Sequence, residues 1–207
     1  MEKIDDHLLK LMDDILDDLN QTFRHVDSVR NNVFSKMHDV FSRVREVFSL
    51  LYTRELEVSK EKLEEVIVML KEIDVMVKQV DIKDYLFRTT KDIYREFSEA
   101  LLLYTYLSND ASLLKHLDIV KNEIFIEAFF EFLGEIRRIL IDDLIRGRIE
   151  SVKRHIDFMD SSYNILFSSY FPNYFFPDYK RRLDILRSQL EKSKEDYLLY
   201  LRRRGDW

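Results

Sequence analysis

The chain has 207 residues, 46% of them hydrophobic and 35% charged, with a formal net charge of −6, 3 glycines, 2 prolines and no cysteine. That length and apolar fraction suit one domain, 1–207, with a substantial core. The missing cysteines exclude a disulfide framework and thiolate metal sites and make a reducing interior the default. The acidic balance by itself weighs against a nucleic-acid partner, whose phosphates are bound by Lys and Arg. A β-rich fold needs turn residues about every ten positions. Here Gly134 is the first glycine and Pro172 the first proline, so the expected fold class is all-α, a bundle of about seven long helices with charge on its outer faces. The N-terminal stretch MEKIDDHLLKLMDD has no apolar leader core. No apolar run approaches the ~20 residues that cross a bilayer. A cytoplasmic protein with no membrane partner is therefore expected.

In chain order, residues 3–22 place Ile4, Leu8, Leu11, Met12, Ile15 and Leu19 on one helical face. From 24 to 52, valines and leucines recur at threes and fours from Val26 to Leu51. Periodicity leaves open whether these two stretches are one helix or two. RELEVS (54–59) predicts a tight connection, and 59–78 a helix facing inward through Leu63, Val66, Met69, Leu70 and Ile73, so that 24–78 form an αα-hairpin. Asp81 or Asp84 offers the acceptor that first-turn N–H groups need, opening a helix that runs to about Leu107. SNDASLLKHLD (108–118) is the least regular stretch. A helix over 119–146 follows, with Gly147 where a C-cap glycine belongs. Another spans 149–170. FPNYFFP (171–177) predicts a rigid aromatic turn with Pro177 opening the last helix. The Tyr and Phe residues of 163–179 read as core. The basic clusters at 146–155, 179–187 and 201–204 read as solvated faces and a helix end suited to the dipole.

The chemistry concentrates in two of these helices. DIYREFSEALLLYTYL carries Glu96 and Glu99 at i,i+3, and NEIFIEAFFEFLGEIRR carries Glu123, Glu127, Glu131 and Glu135 at successive i,i+4 steps. The second helix is apolar nearly all round, the pattern of a buried helix. Unpaired carboxylates buried there would cost several kcal/mol each. Three answers are open: a divalent cation of the Mg²⁺ or Mn²⁺ kind, which favours carboxylate oxygens; neutralising Arg or Lys; or a polar stripe that faces solvent or a subunit seam. A di-iron bundle would want Glu-x-x-His. Glu96-Phe-Ser-Glu99 has Glu in place of that His, and none of the five histidines lies in such a motif. There is no glycine elbow for a serine nucleophile and no phosphate loop of P-loop or Rossmann type.

KDYLFRTTKDIYREFSEALLLYTYLSN resembles the central helix of the translin family, and its REFSEA (95–100) is similar to the Q-E-Y-V-E-A segment of the translin-associated factor X branch, here in archaeal-like form. EFLGEIRR (131–138) resembles that branch's D-L-x-G-E-L-x-R, and YNILFSSYFPNYFFPDYKRRLDILRSQLEKSKEDYLLYLRRR (163–204) the family's C-terminal end. The resemblance covers about 24–204 and is strongest over 84–204. Residues 1–23 stand as an extra or displaced N-terminal helix.

The resemblance implies a seven-helix fold and a closed octamer, or a hetero-oligomer with a second family subunit, enclosing single-stranded RNA or DNA. From the factor X branch it implies Mg²⁺-dependent cleavage of single-stranded RNA, with Mn²⁺ as a substitute. Carried over by position, Glu96 and Glu99 form one pair and Glu131 and Glu135 the other, as metal ligands and catalytic residues. Glu131 stands where that branch has Asp. Glu127 is left at most an outer place around the ion, and Glu123 none. Arg88 and Arg138 are assigned to phosphate. The runner-up is a non-catalytic single-stranded RNA- or DNA-binding protein of the translin type, and a third reading is a structural bundle whose glutamates line a subunit seam.

Overall fold

The computed structural model describes residues 2–78 and 83–204, with side chains described over 4–78 and 90–203. Among these the chain forms α1 (Glu2–Thr53), α2 (Leu56–Lys78), α3 (Lys83–Ser108), a 3₁₀ helix (Leu114–Ile119), α4 (Asn122–Ile145), α5 (Ile149–Ser168) and α6 (Tyr179–Arg204), with no strand. Asp81 lies outside the described residues, as does the Asp84 side chain, while the Asp84 backbone already belongs to α3. The two N-terminal stretches are a single helix of 52 residues, ~78 Å long at 1.5 Å per residue. No Gly, Pro or capping residue interrupts the chain between them. The apolar face read over 3–22 is exposed. Every residue from 4 to 25 is exposed, and α1 meets the body only from Val26 and Val29 onward.

The α3–α4 pair forms the middle of the molecule. α3 packs on α1, α2 and α4, and α4 packs on α3, α5 and α6. The core runs through this pair, with Phe97, Leu101 and Leu103 of α3 and Phe132, Leu133 and Ile136 of α4 all nearly inaccessible. A fully buried side chain of this size stabilises by about 1.5–3 kcal/mol, so the interface leaves little freedom in how the two helices are set against each other.

The connections are short and carry their own chemistry. After α1, Arg54 takes a left-handed φ of 66°, with Glu55 N–H on the Leu50 carbonyl at 2.9 Å. That backbone pattern ends a helix in a Schellman motif. It turns α1 into α2 in two residues, tighter than the six-residue connection expected. Gly147 ends α4 the same way at φ 71°: its own N–H meets the Leu144 carbonyl at 3.1 Å and Arg148 N–H meets the Asp143 carbonyl at 2.8 Å. The irregular stretch 108–118 is tied down by Asp110. Its carboxylate accepts from Ser112 N–H at 2.8 Å, Lys60 at 2.8 Å and Tyr104 at 3.0 Å. Pro177 stands outside α6 rather than at its first turn, because the Asp178 carbonyl already accepts the Arg182 N–H at 2.9 Å.

The aromatic segment divides. Phe176 and Tyr179 are buried, and the Tyr179 hydroxyl donates to the Leu166 carbonyl at 2.7 Å, fastening α6 to the end of α5. Phe167, Tyr170, Tyr174 and Phe175 are exposed, so the reading of this whole stretch as core holds only for the residues that face α4 and α5.

Asp143 joins four elements through one buried carboxylate. It accepts from Arg148 Nε at 2.9 Å and from His155 Nε2 at 3.0 Å, with Arg54 Nη2 at 3.6 Å. The Tyr106 hydroxyl lies 2.7 Å from His155 Nδ1. Burial holds the His155 imidazole below its ordinary pKa. The ring is then neutral at pH 7, with Nε2–H donating to Asp143 and Nδ1 accepting from Tyr106. Removing one member of such a network strands the others' polar groups, at a cost of about 3 kcal/mol. Asp143→Ala is expected to lower the unfolding free energy by about that amount in a urea titration, far more than Asp142→Ala at the neighbouring, half-exposed position. Equal effects of the two changes would show that the Asp143 network does not hold these helices together.

Candidate functional site

Because α3 and α4 lie side by side, their polar margins meet. Glu96 and Glu99 sit ~60° apart around α3, and Glu131 and Glu135 ~40° apart around α4. All four line one open cleft of about 470 Å³, whose far wall is Arg45, Phe48, Ser49 and Tyr52 of α1. The two sequence pairs, 32 or more positions apart along the chain, are thus brought together.

The four carboxylates are not equivalent. Glu99 is 8% exposed. Burial first, and then the charges of Glu131, Glu96 and Glu135, push its carboxyl up to about 8, with Arg95 offsetting part of the effect. Glu96 is shifted in the same direction, again by burial first, against the pull of Arg95. Glu131 lies between two guanidinium groups, Arg182 Nη1 at 3.5 Å and Arg95 Nε at 3.6 Å. Glu135 accepts a 2.6 Å hydrogen bond from the Tyr52 hydroxyl. That hydroxyl in turn accepts from Arg138 Nη1 at 2.8 Å, and the Arg138 guanidinium lies 4.0 Å from the centre of the Tyr52 ring. A hydroxyl placed between an arginine and a carboxylate relays the arginine's polarity and fixes the carboxylate's orientation. Tyr52 also lines a smaller neighbouring pocket of about 190 Å³ with Arg54, Arg138, Ile139, Asp142 and Arg146. An acidic cleft and a cationic pocket therefore share one wall.

The remaining sequence candidates fall elsewhere. Glu127 pairs with Lys91 at 2.7 Å, on the side of α4 toward the start of α3, and Glu123 is exposed in the first turn of α4. Arg138 is well exposed at the rim. The Arg88 side chain lies outside the described residues. Tyr52, Arg45, Arg95 and Arg182 belong to the site but were not singled out from sequence. Arg95 adjoins Glu96 in the REFSEA segment, the one local signal among them. Tyr52, Arg45 and Arg182 reach the cleft only through the packing of α1 and α6.

The donor set suits a hard cation that keeps part of its water. Mg²⁺ is bound by one or two carboxylates with waters completing its shell, and here several carboxylates face an open cleft. Among the described residues no three or more His, Cys, Asp or Glu side chains stand close enough together to form a ready metal-binding group. An ion that keeps several waters needs no such group, and the repulsion that adds to burial in lifting Glu99 is what a cation would relieve.

No family model matches the chain. Over 109 residues the chain is 32% identical to an uncharacterized protein of Methanocaldococcus jannaschii; the match covers 52% of this chain and 48% of that protein, so it spans about half of the relative's length. Among solved structures, the chain is similar to an AfC3PO–duplex RNA complex at a TM-score of 0.80 and 21% identity, covering 93% of this chain and 99% of that one. It is similar to AfC3PO at 0.77 and 21%, over 91% and 98%, and to apo-NeC3PO at 0.77 and 19%, over 89% and 96%. The chain has the all-helical translin/C3PO fold.

The electrostatics give a signed expectation. A carboxyl raised from the ordinary 4.5 to about 8 stays protonated in the fold while it ionises in the unfolded chain. Its contribution is favourable below about pH 4.5 and is lost as pH rises toward 8. Glu99→Gln, which keeps the neutral form's shape, is expected to raise Tm at pH 8 in a chelator-containing buffer, by a gain on the order of 4 kcal/mol, and to be nearly neutral at pH 4.5. A gain of the same size at both pH values would show that Glu99 carries no buried charge.

Proposed function

We propose that this chain is an Mg²⁺-dependent endoribonuclease of the translin-associated factor X type, with Mn²⁺ as a substitute. It acts on single-stranded RNA in a closed homo-oligomer, an octamer, or in a hetero-oligomer with a second subunit of that family, in the cytoplasm. The observation that carries this reading is the convergence of Glu96, Glu99, Glu131 and Glu135, from two helices, on one open cleft with a cationic pocket beside it. RNA as the ligand class is supported by the duplex RNA held in the AfC3PO complex, a protein of the same fold. The single-stranded preference follows from the sequence resemblance.

Glu96 and Glu99 would hold the ion from α3, and Glu131 and Glu135 from α4. When bound, the ion supplies a water of lowered pKa and stabilisation of charge on the phosphate. Tyr52 orients Glu135 through its 2.6 Å hydrogen bond. Arg95 and Arg182 hold Glu131 toward the cleft and balance its charge. Arg138, exposed at the rim, would meet a backbone phosphate, and Arg54 and Arg146 of the adjoining pocket the next. The net charge of −6 is compatible with RNA because these cations are gathered beside the acidic cleft.

One observation favours the second reading, a non-catalytic single-stranded RNA- or DNA-binding protein. Glu131 is already balanced by two arginines, a pairing that would stand without any metal.

The two readings separate on purified protein. With Mg²⁺, the wild type is expected to cut single-stranded RNA, while Glu96→Ala/Glu99→Ala loses on the order of a hundredfold or more in rate and retains binding. Mg²⁺ is also expected to raise the Tm of the wild type and not of the variant. Binding with no cutting and no Tm shift would support the second reading. Equal cutting by both proteins would remove the cleft from the chemistry. Arg138→Ala is expected to weaken RNA binding and to lower the salt slope of log K by about one, measured by fluorescence anisotropy at several salt concentrations.

A further inference from the structure

α1 passes the cleft opposite the four glutamates, and the flank it presents there has a pattern of its own. Arg30, Phe34, Phe41, Arg45, Phe48 and Tyr52 follow one another at steps of four, seven, four, three and four. That spacing sets them in one stripe along a helix. The stripe runs beside the row from Val33 to Leu51 that α1 buries, and it spans ~33 Å at 1.5 Å per residue. Arg45, Phe48 and Tyr52 line the cleft. Arg30, Phe34 and Phe41 carry the same pattern away from it, toward the N-terminus.

Charge sets this flank apart. Between Arg30 and Tyr52 the chain has two acidic residues, Asp39 and Glu46. At ~100° per residue both fall across the helix from the stripe, and Glu46 pairs with Arg43 at 2.8 Å. The cations on the flank toward α2 are committed within the fold, Lys36 to Glu72 and Arg43 to Glu65 at 3.1 Å. Arg30 and Arg45 make no ion pair with any described residue. Arg45 stands exposed across the cleft from its carboxylates, and the Arg30 guanidinium lies 4.8 Å from the centre of the Phe34 ring.

Uncommitted guanidinium groups with aromatic rings between them are the parts from which single-stranded nucleic acid is bound, the cation meeting phosphate and the ring meeting a base. Phe34 is 36% exposed, and Phe41 and Phe48 are half-buried with part of each ring on the core. Rings held partly by the core lose little freedom when a base stacks on what is exposed. A duplex cannot use such a surface in the same way, because its base faces are already stacked and paired.

We propose that this flank of α1 is a track for single-stranded RNA leading out of the acidic cleft, with phosphates on Arg45 and Arg30 and bases against Phe41 and Phe34. Arg138 is held over the Tyr52 ring, two turns along α1 from Arg45, so the strand is gripped on both sides of the carboxylates. The track takes its ligand from the reading above and rests on it, while its residues lie outside the metal-binding set.

Binding is measured without cutting. Full-length Glu96→Ala/Glu99→Ala protein, expected to retain RNA binding, is titrated into a fluorescent single-stranded oligouridylate at several salt concentrations. It carries in addition Arg30→Ala, Arg45→Ala, Phe34→Ala or Phe34→Trp, or, on the other flank of the same helix, Lys36→Ala/Arg43→Ala. The salt slope of log K is expected to fall by about one for each of Arg30→Ala and Arg45→Ala, and to stay at the parent value for Lys36→Ala/Arg43→Ala. Phe34→Ala is expected to weaken binding about fivefold or more, and Phe34→Trp to restore it. A fall at Arg45 and not at Arg30 would overturn the track, since a phosphate at the cleft needs none of it. An equal fall for Lys36→Ala/Arg43→Ala would overturn it in favour of unspecific attraction to the charge of the helix. Either result leaves the cleft reading standing where the wild type cuts RNA. No binding of RNA by the wild type would overturn both.

Discussion

The packing of α3 on α4 is the constraint on which the rest of the molecule depends. Their apolar faces, built from Phe97, Leu101 and Leu103 on one side and Phe132, Leu133 and Ile136 on the other, bring two glutamate pairs from separate parts of the chain to one margin. Burying the apolar residues is strongly favourable, and crowding four carboxylates beside them is not. The second effect is tolerated because the first is larger. Its cost appears in Glu99, which burial and its neighbours push up to about 8.

The other helices supply what this margin lacks. α1 gives the wall of the cleft and the Tyr52 hydroxyl that takes hold of Glu135, and α6 brings Arg182 to Glu131. The Schellman turn at Arg54 and the buried Asp143 network are part of the same arrangement. They fix where α1 ends relative to α4, and so where Tyr52 and Arg138 stand. A change at Asp143, away from the cleft wall, would therefore act on the cleft through the position of α1. The cationic pocket beside the cleft has the same origin, since Tyr52 is common to both.

Outside this centre the two parts of α1 differ in charge. Its N-terminal arm, 2–23, carries most of the net negative charge and an exposed apolar stripe, and the flank from Arg30 to Tyr52 carries arginine and phenylalanine with no acid among them. The acidic total that weighed against an RNA partner is therefore a local property of the arm. The remaining chain is close to neutral, and its arginines are free to be grouped near the cleft.

Much of this was legible from the sequence. Scarce glycine and proline, together with apolar residues at threes and fours, determine an all-α fold, because hydrogen bonding and side-chain spacing in a helix are local along the chain. The carboxylate pairs at i,i+3 and i,i+4 and the glycine that ends α4 were visible for the same reason. What the tertiary structure alone decided are the things that depend on where one helix meets another. Periodicity marks a helical face without saying what covers it, so the stripe over 3–22 was read as one face of a helix and is exposed, and the aromatics of 163–179 looked like core and are divided. Glu127 has the same spacing as Glu131 but sits one turn too early in α4 and pairs with Lys91 instead. Tyr52 and Arg182 had no local signal, because their place at the cleft comes from the docking of α1 and α6 on a pair of helices whose contact is set by distant residues.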